Sequence, residues 1–525
     1  MDAVENPLLD ASPAHVFWTT TNIVEGFPGV VTPLTWTLWG PAMDVGSRRA
    51  YQHLGILSAA EAAPDVSVAD RFSGVFFGRA ALNVDVVRKV ADRAPGTSGA
   101  AAEAQLLGSV RPEVPTHTAL ARLPLVASRV PIVFLTAPRR VRRFVGEQRE
   151  WWRGQTTGVD RRPAAARMAE VRHRLELAMA HHSITSMIAV ALLDQTASIS
   201  ARAGRADLET LLNTGQGEVE EARFVADVWR LSRDEASLDE ILADHGFQGS
   251  GELSLPSYRS DPSRLIGIAC RYAELGDGED PAASARRQRD ERARAEREVL
   301  AALGPASRPL ARRLFALARR GIPLREATKA AYVMGLDAGR AVAADRFAEL
   351  EANGFLIEPD DVFFLTYDEV TGPDRDLRGV VADRRAVHDE YQTLELPRSW
   401  YGQPEPVAAS GPDASDAPLQ GIPVYAGVVE ARARVATSVA EASAIGVGEI
   451  LVCSTTDPSW ASVMPLAGGL VIDIGSQASH GAIVARELGL PCVINTATGT
   501  RDIATGDLVL MDGTTGIVEV LERAT

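Results

Sequence analysis

Gly475-Ser476-Gln477-Ala478-Ser479-His480-Gly481-Ala482-Ile483-Val484-Ala485-Arg486-Glu487-Leu488-Gly489-Leu490-Pro491 follows an apolar run from Gly469 to Ile474. The run reads as a buried strand, the small residues after it as a tight turn, and the rest as a helix. Ile483, Val484 and Leu488 form the apolar stripe of that helix, and Leu488-Gly489-Leu490-Pro491 its stop. His480 then sits at a helix start, where free backbone N–H groups and the positive end of the helix dipole would face an added anion. Neutral imidazole is a nucleophile near neutral pH, so a phosphoryl-carrying histidine suits the position. A capping or structural histidine suits it too, and spacing alone favours that second use.

Strand-like runs surround this stretch: Val424 to Val429, Ala433 to Ala436, Ile450 to Cys453, Leu470 to Ile474, Cys492 to Ile494, Leu508 to Met511 and Ile517 to Leu521. Residues 420–525 therefore read as an α/β domain. The preceding 403–419, with Pro404, Pro406, Ser410, Gly411, Pro412, Ser415 and Pro418, have the composition of a flexible linker that would let this domain move. Residues 1–402 read as mainly helical. From Pro138 to Gly246 apolar residues recur at three and four, and Arg139, Arg140, Arg142 and Arg143 mark a solvated helix face. The turn from His245 to Leu253 is too poor in Lys and Arg for a nucleotide loop, and residues 282–303 form a charge-laced exposed helix. The expected fold is multidomain, α plus α/β.

Gly321-Ile322-Pro323-Leu324-Arg325-Glu326-Ala327-Thr328-Lys329 opens a further long helix, with Pro323 at its start and a stop at Asn353-Gly354. Arg325 and Lys329 are four apart and share a face, with Glu326 adjacent. Two cations beside a carboxylate can clamp a phosphoryl group and manage the proton of an attacking hydroxyl. Spacing alone favours an ordinary ion-paired surface helix.

The 525 residues suffice for two or three domains, and 46% hydrophobic with 23% charged residues is an ordinary globular balance. A net charge of -15 opposes nucleic-acid binding. The three cysteines, Cys270, Cys453 and Cys492, imply neither a disulfide framework nor a zinc site, so no metal is expected on this chain. The N-terminus lacks a basic and apolar leader, and no run approaches the roughly 20 apolar residues of a membrane span, so a cytoplasmic location is expected.

The stretch around His480 resembles the phosphohistidine motif of the phosphoenolpyruvate-utilising enzymes. Gly475, Ser479, His480, Ala482, Ile483, Val484, Ala485, Arg486, Glu487, Gly489 and Pro491 fit it, while Ser476 replaces a usual Gly and Ala478 a frequent Thr. Other segments resemble the rifampin phosphotransferase branch. Asn22, Glu25, Pro28, Gly29, Thr32, Pro33, Leu34 and Thr35 match a run that begins the substrate-binding domain there, and Gly78-Arg79 with Asn83 echo a second segment. The resemblance makes Asn22, Glu25 and Thr32 substrate-binding residues. Arg325, Glu326 and Lys329 match an Arg-Glu-x-x-Lys motif whose members take part in catalysis. Pro359 to Leu365 and Thr456-Asp457-Pro458-Ser459-Trp460 are similar to further family elements. Where the family has a His-Arg pair on the pocket wall, Phe247-Gln248 stand here, which implies a less polar acceptor.

The resemblance implies a mainly helical acceptor domain (1–402), a linker (403–419) and a small swivelling β/β/α phosphohistidine domain (420–525). Relatives that use ATP carry an ATP-grasp domain, which these 525 residues leave no room for. The expectation is a separate ATP-grasp subunit that loads His480 from ATP and Mg²⁺. Phospho-His480 then meets a hydroxyl acceptor at Arg325, Glu326 and Lys329, giving AMP, inorganic phosphate and a phosphorylated product. The first choice of acceptor is a small phenolic compound such as a hydroxyphenyl ketone, as in phenylphosphate synthase. A rifamycin-type antibiotic and a non-catalytic regulatory or scaffold subunit are the alternatives.

Overall fold

The computed structural model describes residues 6–64, 66–94, 97–115, 122–216, 220–408, 417–476 and 479–524. The middle of the 403–419 linker and both Gln477 and Ala478 lie outside them. Packing divides the chain into two compact units. One comprises Met1–Ile184, Gly249–Pro256 and Thr328–Ala409, the other Thr185–Gln248, Ser257–Ala327 and Ser410–Thr525. This grouping is not a linear cut at the linker. Buried Phe224, Val228, Tyr258, Ile268 and Tyr272 share one hydrophobic cluster with Leu451, Leu470, Ile472 and Val484 of the C-terminal sheet domain.

The first unit is mainly helical. Its small antiparallel sheet runs Ser73–Phe76, Arg79–Asn83, Phe17–Thr19, Ser399–Tyr401. The Pro33–His53 helix begins with Pro at its first position, where a missing N–H costs nothing. One carboxylate organises the neighbouring loops. Buried Glu252 accepts the Thr32 amide at 3.0 Å, the Thr32 hydroxyl at 2.7 Å and the Thr35 hydroxyl at 2.8 Å. Gly251 lets these loops meet, since a Cβ there would lie 2.0 Å from the Gly26 carbonyl oxygen. Buried Arg340 then donates to the carbonyls of Ser250, Glu252 and Leu253.

The second unit contains an eight-stranded sheet in the order Leu419–Gln420, Ile517–Glu522, Leu508–Asp512, Val428–Ala436, Ile450–Cys453, Gly469–Ile472, Cys492–Ile494, Ile422–Tyr425. The four strands from Val428–Ala436 to Cys492–Ile494 are parallel, and the outer ones are antiparallel. Both faces are covered. Leu451, Cys453, Leu470 and Ile472 point to the cluster shared with the helices, whereas Ile450, Val452, Val471 and Val493 meet Ile503, Val509 and Met511. Double burial explains why these strands read as continuous apolar runs rather than alternating ones. The architecture is thus multidomain α plus α/β.

Two helices depart from the sequence reading. Pro323 does not open a helix but lies inside Arg308–Glu351. Residues 308–320 are good helix formers, and Ala311 and Phe315 bury against Ala295 and Val299. That packing outweighs the donor that Pro323 withholds from the Arg319 carbonyl, about 3 kcal/mol in a helix interior. Ala164–Arg202 is long and apolar enough to cross a membrane by length and composition alone. Its Met168, Val171, Leu175 and Ala178 are buried, as are polar Thr185, Thr196 and Ser200, and 39% of its most apolar window is buried.

Candidate active site

His480 stands where the sequence places it. The Gly469–Ile472 strand ends at the sheet's carboxyl edge, the chain turns, and the His480–Leu488 helix begins with Ser479 as N-cap, its hydroxyl accepting the Ala482 amide. Gly489, in the left-handed region at φ 70°, ends it. Gly481 is required by close approach: a Cβ there would lie 2.4 Å from Ile472 Cδ1 and 2.9 Å from Thr456 Oγ1. The helix start is thereby pressed onto the strand end and the Thr455-Thr456 loop. That loop is fixed from beneath, because Asp457 caps the short Pro458–Ser462 helix, the Tyr272 hydroxyl donates to the Ser462 carbonyl and the Tyr258 hydroxyl shares a hydrogen bond with the Ser462 hydroxyl, each at 2.7 Å. The buried Thr455 and Thr456 hydroxyls have no hydrogen-bond partner among the described residues. On the other side of the loop cluster, Asp473 accepts from the Thr500 amide at 3.0 Å and the Thr496 hydroxyl at 2.8 Å.

Three side chains from three helices converge at His480. Its Nδ1 lies 4.0 Å from Glu221 Oε1, and the ligand-type atoms of Glu221, Glu326 and His480 all fall within 4.8 Å of one another. All three residues are buried. Arg325 donates to Glu326 Oε1 at 2.5 Å and remains about one-fifth exposed, at 19% of its side chain. The structure thus brings together three residues from distant stretches of sequence, with Arg325 alongside.

The remaining expected site residues are placed as follows. Lys329, half-buried, belongs to the first unit, as do Asn22, Glu25 and Thr32. Asn22 adopts the left-handed backbone at φ 67°, and Thr32 is committed to Glu252. Phe247 and Gln248 are buried in the second unit, and Gln248 Oε1 has no partner among the described residues. Beside them His245 Nε2 meets Asp227 at 2.9 Å. A cavity of about 660 Å³ in the first unit is lined by Trp36, Arg172, Tyr367, Arg375 and Arg384, and by none of Asn22, Glu25 or Thr32.

Sequence reasoning missed Glu221 and the role of Thr456. The signal for Glu221 is present: it falls on the buried stripe of the Glu220–Ser232 helix with Phe224, Val225 and Val228, and a carboxylate on an apolar stripe marks a special position. Glu487, on the His480–Leu488 helix, is half-buried. Burial pushes its carboxyl up to about 7, against amide donation from Gln216 and Gly215 and the charge of Arg292, with Glu326 adding to the rise.

Comparison with known proteins agrees with this geometry. Residues 445–516 match the mobile domain of PEP-utilising enzymes, and residues 177–326 match the fourth domain of rifampicin phosphotransferase. A rifampicin phosphotransferase of Streptomyces sp is 36% identical over 302 residues, 54% of this chain and 34% of that protein. A rifampicin phosphotransferase of Bacillus cereus is 26% identical over 410 residues, 74% of this chain and 44% of that protein. A prodigiosin synthesizing transferase of Serratia marcescens is 31% identical over 305 residues, 55% and 34% of the two chains. In each case the match spans less than half of the relative's length. The two matched segments hold the residues that meet at the site, Glu221 and Glu326 in one and His480 in the other.

Proposed function

We propose that the chain is a phosphotransferase in which His480 carries a phosphoryl group from ATP to a hydroxyl acceptor. The supporting observation is the convergence of buried His480, Glu221 and Glu326 at the first turn of a helix, with Arg325 on Glu326. An imidazole nitrogen attacks the donor phosphorus, and the helix N-terminus stabilises the phosphoryl oxygens. At the receiving site Glu326 accepts the proton of the attacking hydroxyl, Arg325 and Lys329 neutralise the transferring group, and the N–P bond breaks to return free His480. In the donor step AMP leaves from the attacked β-phosphorus of ATP, water cleaves the pyrophosphoryl group so formed to release inorganic phosphate and leave one phosphoryl group on His480, and the acceptor finally leaves as its phosphate ester. The donor module is an ATP-grasp protein with Mg²⁺, proposed as a separate subunit, and the 403–419 segment is the proposed hinge.

For the acceptor, a small phenol is the first reading. A phenolic hydroxyl ionises near 10, so it needs less help from a base than an alkanol does, and Phe247-Gln248 give the wall a less polar character than a His-Arg pair. The names of the Streptomyces and Bacillus relatives favour a second reading, rifampicin as acceptor. Incubation with an ATP-grasp protein, ATP and either a panel of phenols or rifampicin, followed by assay of AMP and phosphate ester, separates the two. AMP production that persists in His480→Ala would refute the carrier role in both.

A further inference from the structure

The three residues that meet at the site have a second chemical capacity. From Glu220–Ser232, Arg308–Glu351 and His480–Leu488 come one imidazole and two carboxylates, with ligand atoms within 4.8 Å of one another. The side chains of His480, Glu221 and Glu326 are 0%, 8% and 3% exposed. We infer that Glu221, Glu326 and His480 form a site for a divalent transition cation of the Zn²⁺ class, occupied when His480 carries no phosphoryl group.

The donor set decides the class of cation. Mg²⁺ and Ca²⁺ prefer oxygen ligands throughout, whereas an imidazole beside carboxylates suits Zn²⁺ and its neighbours. Three protein ligands with water in the fourth position is a common open zinc arrangement. Zinc bonds of about 2.0–2.2 Å put neighbouring tetrahedral ligands roughly 3.4 Å apart. Contraction from at most 4.8 Å asks a little over an ångström of two Glu side chains with several rotatable bonds. The two carboxylate charges match those of the cation, and the charge of Arg325 stands at the partly exposed edge of the group. Arg325 holds Glu326 through Oε1 and so acts as the outer hydrogen-bond partner that orients a ligating carboxylate. A metal on either ring nitrogen draws electron density from the imidazole and ties the helix start to two other helices. Zn²⁺ therefore slows phosphoryl loading. That last step rests on the carrier reading of His480, while cation binding does not.

The test uses the full chain alone, without ATP or partner, stripped of metals and titrated with Co²⁺. The expected result is a visible absorption band that saturates near one equivalent and is displaced by Zn²⁺. His480→Ala abolishes it, and Glu221→Gln weakens binding at least about tenfold, the least that loss of even an outer partner costs. Far-UV circular dichroism confirms that both variants are folded. No saturable band overturns the site, and so does a band that Glu221→Gln or His480→Ala leaves unchanged. Failure of ATP to phosphorylate His480 would leave this titration intact, so the two readings fail separately.

Discussion

Replacing Gly481 by alanine separates the positioning of His480 from the stability of the fold. The added methyl would stand 2.4 Å from Ile472 Cδ1 and 2.9 Å from Thr456 Oγ1. Carbon atoms in contact prefer about 3.5–4.0 Å, so a relative displacement of roughly 1 Å is needed. Ile472 ends an inner strand of the parallel set and is 1% exposed, so it has little room to retreat, and the helix start moves instead. Overpacking costs about 1–3 kcal/mol, offset by at most about 1 kcal/mol of improved helix propensity, for a net loss of roughly 0–2 kcal/mol. The same 1 Å shift of a nucleophile costs on the order of 100-fold in rate. Urea unfolding of Gly481→Ala read beside its rate of phosphorylation should show a small loss of stability and a large loss of rate. Loading at the wild-type rate would refute the claim that close approach at Gly481 sets the position of His480.

Further expectations follow from individual contacts. Thr456→Val removes a buried hydroxyl without a partner among the described residues, so stability is unchanged or slightly higher. If that hydroxyl donates to the phosphoryl group, loading falls about 10-fold or more, the worth of a hydrogen bond to a charged group. Glu326→Gln and Arg325→Ala leave loading of His480 in place and lower transfer to the acceptor by roughly 10²–10⁴-fold, read by chasing the isolated phosphoprotein with acceptor. Glu487, with its carboxyl near 7 in the fold against an ordinary 4.5, binds more proton folded than unfolded between those values. Its contribution is therefore favourable below about 4.5 and declines as pH rises to about 7. Unfolding midpoints of Glu487→Gln should lose that decline and exceed wild type at pH 8.

Much of this was legible because local chemistry and global fold agree in the C-terminal domain. The strands Ile450–Cys453, Gly469–Ile472 and Cys492–Ile494 are short apolar runs bounded by turn residues, and Ser479 and Gly489 bracket the His480 helix as cap and stop. Pro323 was misread because a lone Pro signals a helix start unless packing on both sides sustains the helix, and burial of Ala311 and Phe315 is a tertiary fact. Glu221 escaped notice for a similar reason: its neighbours define a stripe, but only the fold shows that His480 lies against it. Thr32 illustrates the opposite case. Its motif was visible, yet its hydroxyl and amide serve Glu252, a pairing across 220 residues of sequence that no local pattern announces.

Every step of the proposed reaction passes through a phosphoryl group on His480. Incubation of the chain with an ATP-grasp protein and β-labelled ATP, followed by peptide mapping under alkaline conditions that preserve phosphohistidine, tests it directly. One acid-labile phosphoryl group is expected on the peptide containing His480, absent in His480→Ala and discharged by the acceptor. Label retained by His480→Ala, or found on another residue, would contradict it.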